Sequence, residues 1–158
     1  MDQEKMAWVV HTYSPSLLRA AFLYLKNAAD AEDAVQDVFL RYWERQPDFV
    51  NEAARKAWLY KAVCNRCKDK LRSGWFRHRA ELTEDLSYLP IEQSDLMDAL
   101  FALDKKYRIP LHLHYYEGYT IKEIAAILKL PSATVGSRLS RGRTMLKQTL
   151  GGNDFEII

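Results

Sequence analysis

Glycine and proline are scarce in this 158-residue chain, at six and five residues. A sequence so poor in turn-formers, with no sustained strand-like alternation, excludes a sheet-rich sandwich or barrel. It points to an all-α protein. Only two cysteines occur, Cys64 and Cys67. They lie in a helical stretch and need not be oxidised. No apolar run approaches the ~18 residues of a membrane span. The opening MDQEKMAWVV has an early acid and no apolar core before a cleavage-like site. No secretory signal is therefore expected, and the cytoplasm is the expected compartment. A Gly-rich phosphate loop and a catalytic triad are missing as well. His11, His78, His112 and His114 keep no catalytic company. The reading is of a non-enzyme with no catalytic residue, no cofactor and no small-molecule substrate.

What is present is concentrated between Tyr119 and Lys147, YTIKEIAAILKLPSATVGSRLSRGRTMLK. Ile121, Ile124, Ala125 and Leu128 recur at helical spacing. Thr120 precedes them, with Glu123 three residues on, as in a capping box. Lys129-Leu130-Pro131 interrupts the pattern, and Pro131-Ser132 starts a second helix. There Val135, Leu139, Gly142 and Leu146 share one side. The other side carries Thr134, Ser137, Arg141 and Thr144, flanked by Arg138 and Ser140. Two short helices around a turn, the second with a small, polar and basic outer face, are the layout of a helix-turn-helix. Small side chains admit such a helix to the major groove, and arginines reach guanine edges or phosphates. From Lys129 to Lys147 there are five basic residues and no acidic one. The whole-chain charge of +2 hides that local field. Two ordinary surface helices of a bundle are the plainer reading of the same pattern.

Upstream, residues 3–26 read as helical, with Met6, Val9, Val10, Tyr13, Leu17, Ala21 and Leu25 on the apolar side. Ser14-Pro15 marks a break or a fresh helix start. Residues 30–45 form a second helix with Ala31, Val35, Val38 and Tyr42 inward. Its outer side presents Asp33, Gln36, Asp37, Leu40 and Glu44. A solvated face accounts for the charges, but Leu40 with Trp43 nearby suits a partner surface. In the loop at 46–52, Phe49 and Val50 are expected to tuck against a core. Residues 53–72 form a third helix with Leu59, Ala62, Val63 and Cys67 inward. From Arg55 to Arg79 nine basic residues accompany a single acid, Asp69. Trp58, Tyr60, Trp75 and Phe76 are interleaved with them. Basic groups neutralise phosphates and aromatic faces hold unstacked bases; Trp58 and Tyr60 are equally well read as core.

Ser73-Gly74 ends that helix, and ELTEDLSYLP reverses the sign of the charge. The domain boundary is placed there: a first domain at 1–79, a linker at 80–91 and a second domain at 92–150. Helices are expected at 92–103 and 105–117, the latter stopped by Gly118. A tail follows at 151–158. Cys64-x-x-Cys67 with His112-x-His114 could supply four metal ligands in principle. Cys67 on the inward face is better read as a small hydrophobe, and no metal is expected.

Three stretches together carry a family resemblance: DAEDAVQDVFLRYWE at 30–44, AWLYKAVCNRCKDKLR at 57–72 and YEGYTIKEIAAILKLPSATVGSRLSRGRTMLK at 116–147. In this order and spacing the chain resembles a bacterial RNA polymerase sigma factor of the extracytoplasmic-function (ECF) type. The resemblance implies a sigma-2 domain followed by a sigma-4 domain. It implies that Asp33, Gln36, Asp37 and Leu40 dock on the clamp helices of the polymerase β′ subunit. It implies that the loop at 47–56 and the helix after it open the −10 promoter element and hold a flipped base. The matching positions there are Lys56, Trp58, Asn65, Lys68 and Arg72. The last helix is implied to read the −35 element, with Ser137, Ser140 and Arg141 the best matches and Thr134 beside them. Arg138 and Arg143 are phosphate contacts or intramolecular partners. The sigma-4 surface commonly meets the polymerase β flap, and an anti-sigma factor usually holds such proteins inactive. Gly136 departs from the pattern, standing where the family often has lysine or arginine. Gly142 stands where alanine is common, a position that suits close helix packing. The competing reading of the helix-turn-helix is a regulator that binds DNA without joining polymerase.

Overall fold

The computed structural model describes residues 2–73 and 95–151. The linker proper, Trp75, Phe76, Arg77, His78, Arg79 and the tail beyond Gly151 lie outside the described residues. The chain divides into two compact units, Met1–Ile91 and Glu92–Ile158. All regular structure among the described residues is helical.

The first unit is built from α1 (Gln3–Leu25), α2 (Ala28–Arg45) and α3 (Glu52–Arg72), each packed against the other two. The sequence punctuates them well. Asp2, Asn27 and Asn51 each accept a backbone N–H three residues on, and so cap the first turns of α1, α2 and α3. Lys26 and Gln46 close α1 and α2 in the left-handed conformation. The expected break at Ser14-Pro15 does not occur: α1 runs straight through Pro15. The carbonyl that Pro15 leaves without a partner belongs to His11, and both residues lie on the exposed face. Solvent there lowers the cost that proline imposes in a helix interior.

Between the three helices, Leu17, Phe22, Tyr42, Leu59, Tyr60 and Val63 are almost completely buried. The inward side of α3 differs from its apolar spacing: Tyr60 and Cys64 join Leu59, Val63 and Cys67, whereas Ala62, expected inward, is only half-buried. The Tyr60 hydroxyl meets the Ser16 carbonyl at 3.3 Å, which satisfies its polar end. In the loop before α3, Phe49 stacks on Tyr42 with ring centroids 6.3 Å apart. Val50 instead points outward, 93% exposed, so only one of the two expected loop anchors tucks in.

The second unit contains α4 (Asp95–Ala102), α5 (Lys105–Leu111), α6 (Ile121–Leu128) and α7 (Ser132–Leu150). Helix α7 packs against α4, α5 and α6 and is the hub of the unit. The helix expected over 105–117 changes character at His112, where a π-helical turn covers His112–Tyr116. The Glu117 N–H donates to the His112 carbonyl at 3.1 Å, the i→i+5 bond of that turn. Gly118 then takes φ 77°, which a Cβ disfavours, and the chain leaves the helix.

Candidate nucleic-acid interface

In the second unit the capping box of α6 is complete. The Glu123 N–H donates to Thr120 Oγ1 at 3.1 Å, and the Thr120 N–H donates to Glu123 Oε1 at 3.0 Å. Ile124, Ala125, Ile127 and Leu128 are buried, whereas Ile121 is 38% exposed. The buried stripe therefore includes Ile127 in place of Ile121. Lys129 closes α6 at φ 58°, and Pro131 opens α7. All four residues expected on the inward side of α7 are buried: Val135, Leu139, Gly142 and Leu146. A Cβ on Gly142 would lie 2.8 Å from Leu111 Cδ1 and 3.4 Å from Tyr107 Cβ. The missing side chain is what lets α5 and α7 approach.

Burying that stripe turns the opposite side of α7 outward. Ser137, Ser140 and Arg141 are exposed, and Thr134 and Arg138 are half-buried at its edge. Among the described residues, Arg138 and Arg141 have no ion-pair partner. Arg143 differs, for its Nη1 donates to the Tyr115 hydroxyl at 2.8 Å. Of the two roles expected for Arg143, the intramolecular one is observed. Gly136 sits in open space, with nothing within 4 Å of an added Cβ. Among the described residues, the outward face of α7 thus presents two cations without an ion-pair partner, set among small hydroxyls.

In the first unit, α3 carries two basic stripes that the sequence run did not separate. Arg66 and Lys70 turn toward α2. Arg66 Nε donates to Asp37 Oδ2 at 2.7 Å, and Lys70 Nζ to Asp33 Oδ2 at 2.5 Å. The hydrogen bond from Lys70, with the nearby positive charge, holds the Asp33 carboxyl below its usual range. Both acids expected to face a partner are therefore also engaged within the unit. Leu40 is not: it is 60% exposed, with Trp43 at 38%. Asp37, Val38, Leu40, Arg41, Glu44 and Arg66 help to line a shallow depression of about 310 Å³ on this face. Gln36 is exposed beside it.

The second stripe of α3 holds Trp58, Asn65, Lys68 and Arg72, which span an arc of roughly 80° at 100° per residue. Trp58 is half-buried. Its ring meets Tyr42 at 5.8 Å and Phe49 at 6.3 Å, both edge-on. This aromatic cluster fixes the loop at 46–51 to α2 and α3. Arg72 Nη1 lies 3.8 Å from Asp69 Oδ1, an exposed pair of little strength. Lys56 does not join the stripe. It falls about 120° from Lys68 around the helix, and its Nζ sits 5.9 Å from the Tyr60 ring centroid. Helical spacing alone was enough to separate it from the others.

The motif cysteines and histidines have structural surroundings. Cys64 and Cys67 are free thiols in the core of the first unit. Burial pushes Cys64 up to about 11, tempered by a hydrogen bond with Tyr24, and raises Cys67 well above the usual thiol range. His112 is buried with Nε2 3.5 Å from Glu117 Oε1, and His114 Nδ1 lies 2.7 Å from the Tyr119 carbonyl. Among the described residues no group of three or more His, Cys, Asp or Glu could hold a metal ion. No helix among them is long and apolar enough to cross a membrane.

Comparison with known proteins fits this arrangement. Residues 9–77 match the family model for Sigma-70 region 2, and residues 93–146 match that for Sigma-70, region 4. The ECF RNA polymerase sigma factor SigL of Mycobacterium tuberculosis is 32% identical over 146 residues, spanning 85% of this chain and 82% of SigL. The chain is an ECF sigma factor of the sigma-70 family. As such it is a non-enzymatic transcription initiation factor. ECF sigma factor SigW of Bacillus subtilis is 27% identical, with 94% of this chain and 90% of SigW aligned. The fold matches that of sigma factor RpoE, solved in complex with the anti-sigma factor NepR from Bartonella quintana. That match has a TM-score of 0.75 at 23% identity and covers 95% of this chain and 99% of the other. It also matches CnrH, solved in complex with the cytosolic domain of CnrY, with a TM-score of 0.66 at 25% identity. There the coverage is 96% of this sigma factor and 91% of CnrH.

Proposed function

We propose that this ECF sigma factor joins core RNA polymerase in the cytoplasm through the outward face of α2 and directs it to promoters by two separate DNA contacts. Asp33, Gln36, Asp37 and Leu40 meet the β′ clamp helices. Leu40 supplies the apolar contact, since an exposed leucine on an otherwise polar helix gains most from a partner. Trp58, Asn65, Lys68 and Arg72 face the −10 element, with Lys56 behind them beside Tyr60. Thr134, Ser137, Arg138, Ser140 and Arg141 face the −35 element. The domains are taken as 1–79 and 92–150, joined through 80–91. Once one contact forms, the tether makes the other intramolecular, which raises its effective concentration. The sigma-4 domain also meets the β flap. An anti-sigma factor controls the protein, a reading supported by the anti-sigma factor NepR on the matching RpoE structure.

The observation that carries this reading is the outward face of α7. Its two cations are uncommitted among the described residues, while the buried stripe behind it fixes which side faces out. The test is binding of labelled promoter duplex by this protein, alone and with core polymerase, followed by anisotropy. Specific binding only when core is present supports the reading. Equally tight specific binding by the protein alone would favour a regulator that acts without polymerase.

A further inference from the structure

Lys106 belongs to α5, outside the helix-turn-helix, and nothing in its local sequence marks it as a DNA contact. The fold brings it there. Gly142 lets α7 approach Leu111 and Tyr107, and this draws the first turn of α5 against the outward side of α7. The result is a concave surface of about 380 Å³, lined among others by Lys106, Tyr107, Thr134, Ser137, Arg138 and Arg141. Three of these side chains are cations, three carry hydroxyls, and none of the lining residues is a carboxylate. The Lys106 ammonium rests 5.1 Å from the Tyr107 ring centroid, which steers an otherwise exposed side chain along this surface. The neighbouring carboxylate, Asp104, accepts the Lys106 backbone N–H at 3.0 Å as the cap of α5; it lies near enough to feel the Lys106 charge but does not line this surface.

A surface of this composition suits an anion that is itself held beside α7. We propose that Lys106 is a DNA-backbone contact, taking a phosphate at the edge of the groove that α7 enters and so extending the footprint beyond the helix-turn-helix. The proposal rests on the reading that α7 meets promoter DNA. A lysine is a point charge without the fork of arginine, so its contribution should be independent of base sequence. Arg141, aimed at base edges, should behave differently.

The experiment uses holoenzyme, reconstituted from this protein and core polymerase, on duplexes with the preferred or a scrambled −35 element. Affinities are measured from about 50 to 200 mM salt. Lys106→Ala should weaken both duplexes by the same factor and reduce the slope of log affinity against log salt by about 0.9, the release expected for one phosphate. Lys106→Arg should restore the slope. An unchanged slope, or a loss confined to one −35 sequence, would overturn the proposal. So would a loss of affinity for core in a direct core-binding measurement, which would make Lys106 a polymerase contact. Arg141→Ala in the same assay separates the two levels. If it relaxes −35 preference while Lys106→Ala changes nothing, only the Lys106 assignment fails. If Arg141→Ala leaves preference intact, the reading of α7 itself fails.

Discussion

Arg66 Nε donates to Asp37 Oδ2 at 2.7 Å, tying the outward face of α2 to the side of α3. Both side chains are about a third exposed, so the pair is worth at most about 1 kcal/mol. It nevertheless alters how the docking face can be tested. Asp37→Arg would lower affinity for core polymerase, but it would also set a second guanidinium against Arg66.

Leu40 gives the cleaner test. It is 60% exposed and contributes little to the core. Leu40→Asp should leave thermal unfolding essentially unchanged and weaken binding to core polymerase at least tenfold, about 1.4 kcal/mol. Titration of labelled core against wild type and variant checks this. Equal affinities would remove α2 as the docking face.

The two glycines of α7 should respond in opposite directions. A Cβ at Gly136 meets nothing within 4 Å, whereas one at Gly142 lies 2.8 Å from Leu111 Cδ1. Gly136→Ala should stabilise by about 1 kcal/mol, the ordinary gain of helix propensity. Gly142→Ala should destabilise by up to about 2 kcal/mol, the roughly 1–3 kcal/mol of overpacking as Leu111 shifts in a packed interface less the same propensity gain of about 1 kcal/mol. Urea denaturation measures both. Stabilisation by Gly142→Ala would show that α5 and α7 do not approach as described.

The buried thiols make stability fall at alkaline pH. In the unfolded chain a cysteine loses its proton near pH ~8.5, while native Cys64 holds it to about 11. Between those values the native state binds more protons than the unfolded state, so stability declines as pH rises. Cys64→Ala should flatten part of that decline relative to wild type, as read from denaturation midpoints between pH 8.5 and 10.5. Neither thiol should react with a thiol reagent at neutral pH until the protein unfolds. Rapid labelling of the native protein would contradict the burial of both.

Much of this arrangement is legible in the sequence because its signals are local. The Thr120–Glu123 capping box, the α6–α7 turn and the buried stripe of α7 follow from spacing and caps alone. Residues that depend on tertiary contacts are less legible. Pro15 reads as a break, yet it falls on the solvent side of α1, where the cost is low. Val50 and Phe49 are equally apolar neighbours, and only the position of Tyr42 and Trp58 decides that Phe49 is the one held. The basic run of α3 looks uniform until the acids of α2 claim Arg66 and Lys70. Lys106 carries no signal at all, because the approach that sets it beside Arg138 and Arg141 depends on Gly142, more than thirty residues away. Lys56 is a different case: its separation from Lys68 and Arg72 was available from helical geometry.

The central claim is that this protein confers promoter choice on polymerase. In vitro transcription with purified core polymerase on a pool of promoter fragments, with and without the protein, tests it most directly. The account predicts start sites that appear only when the protein is added and that share a −10 and a −35 element, with Arg141→Ala shifting the preferred −35 sequence. Core that binds the protein, yet starts at the same sites with or without it across the pool, would contradict the account.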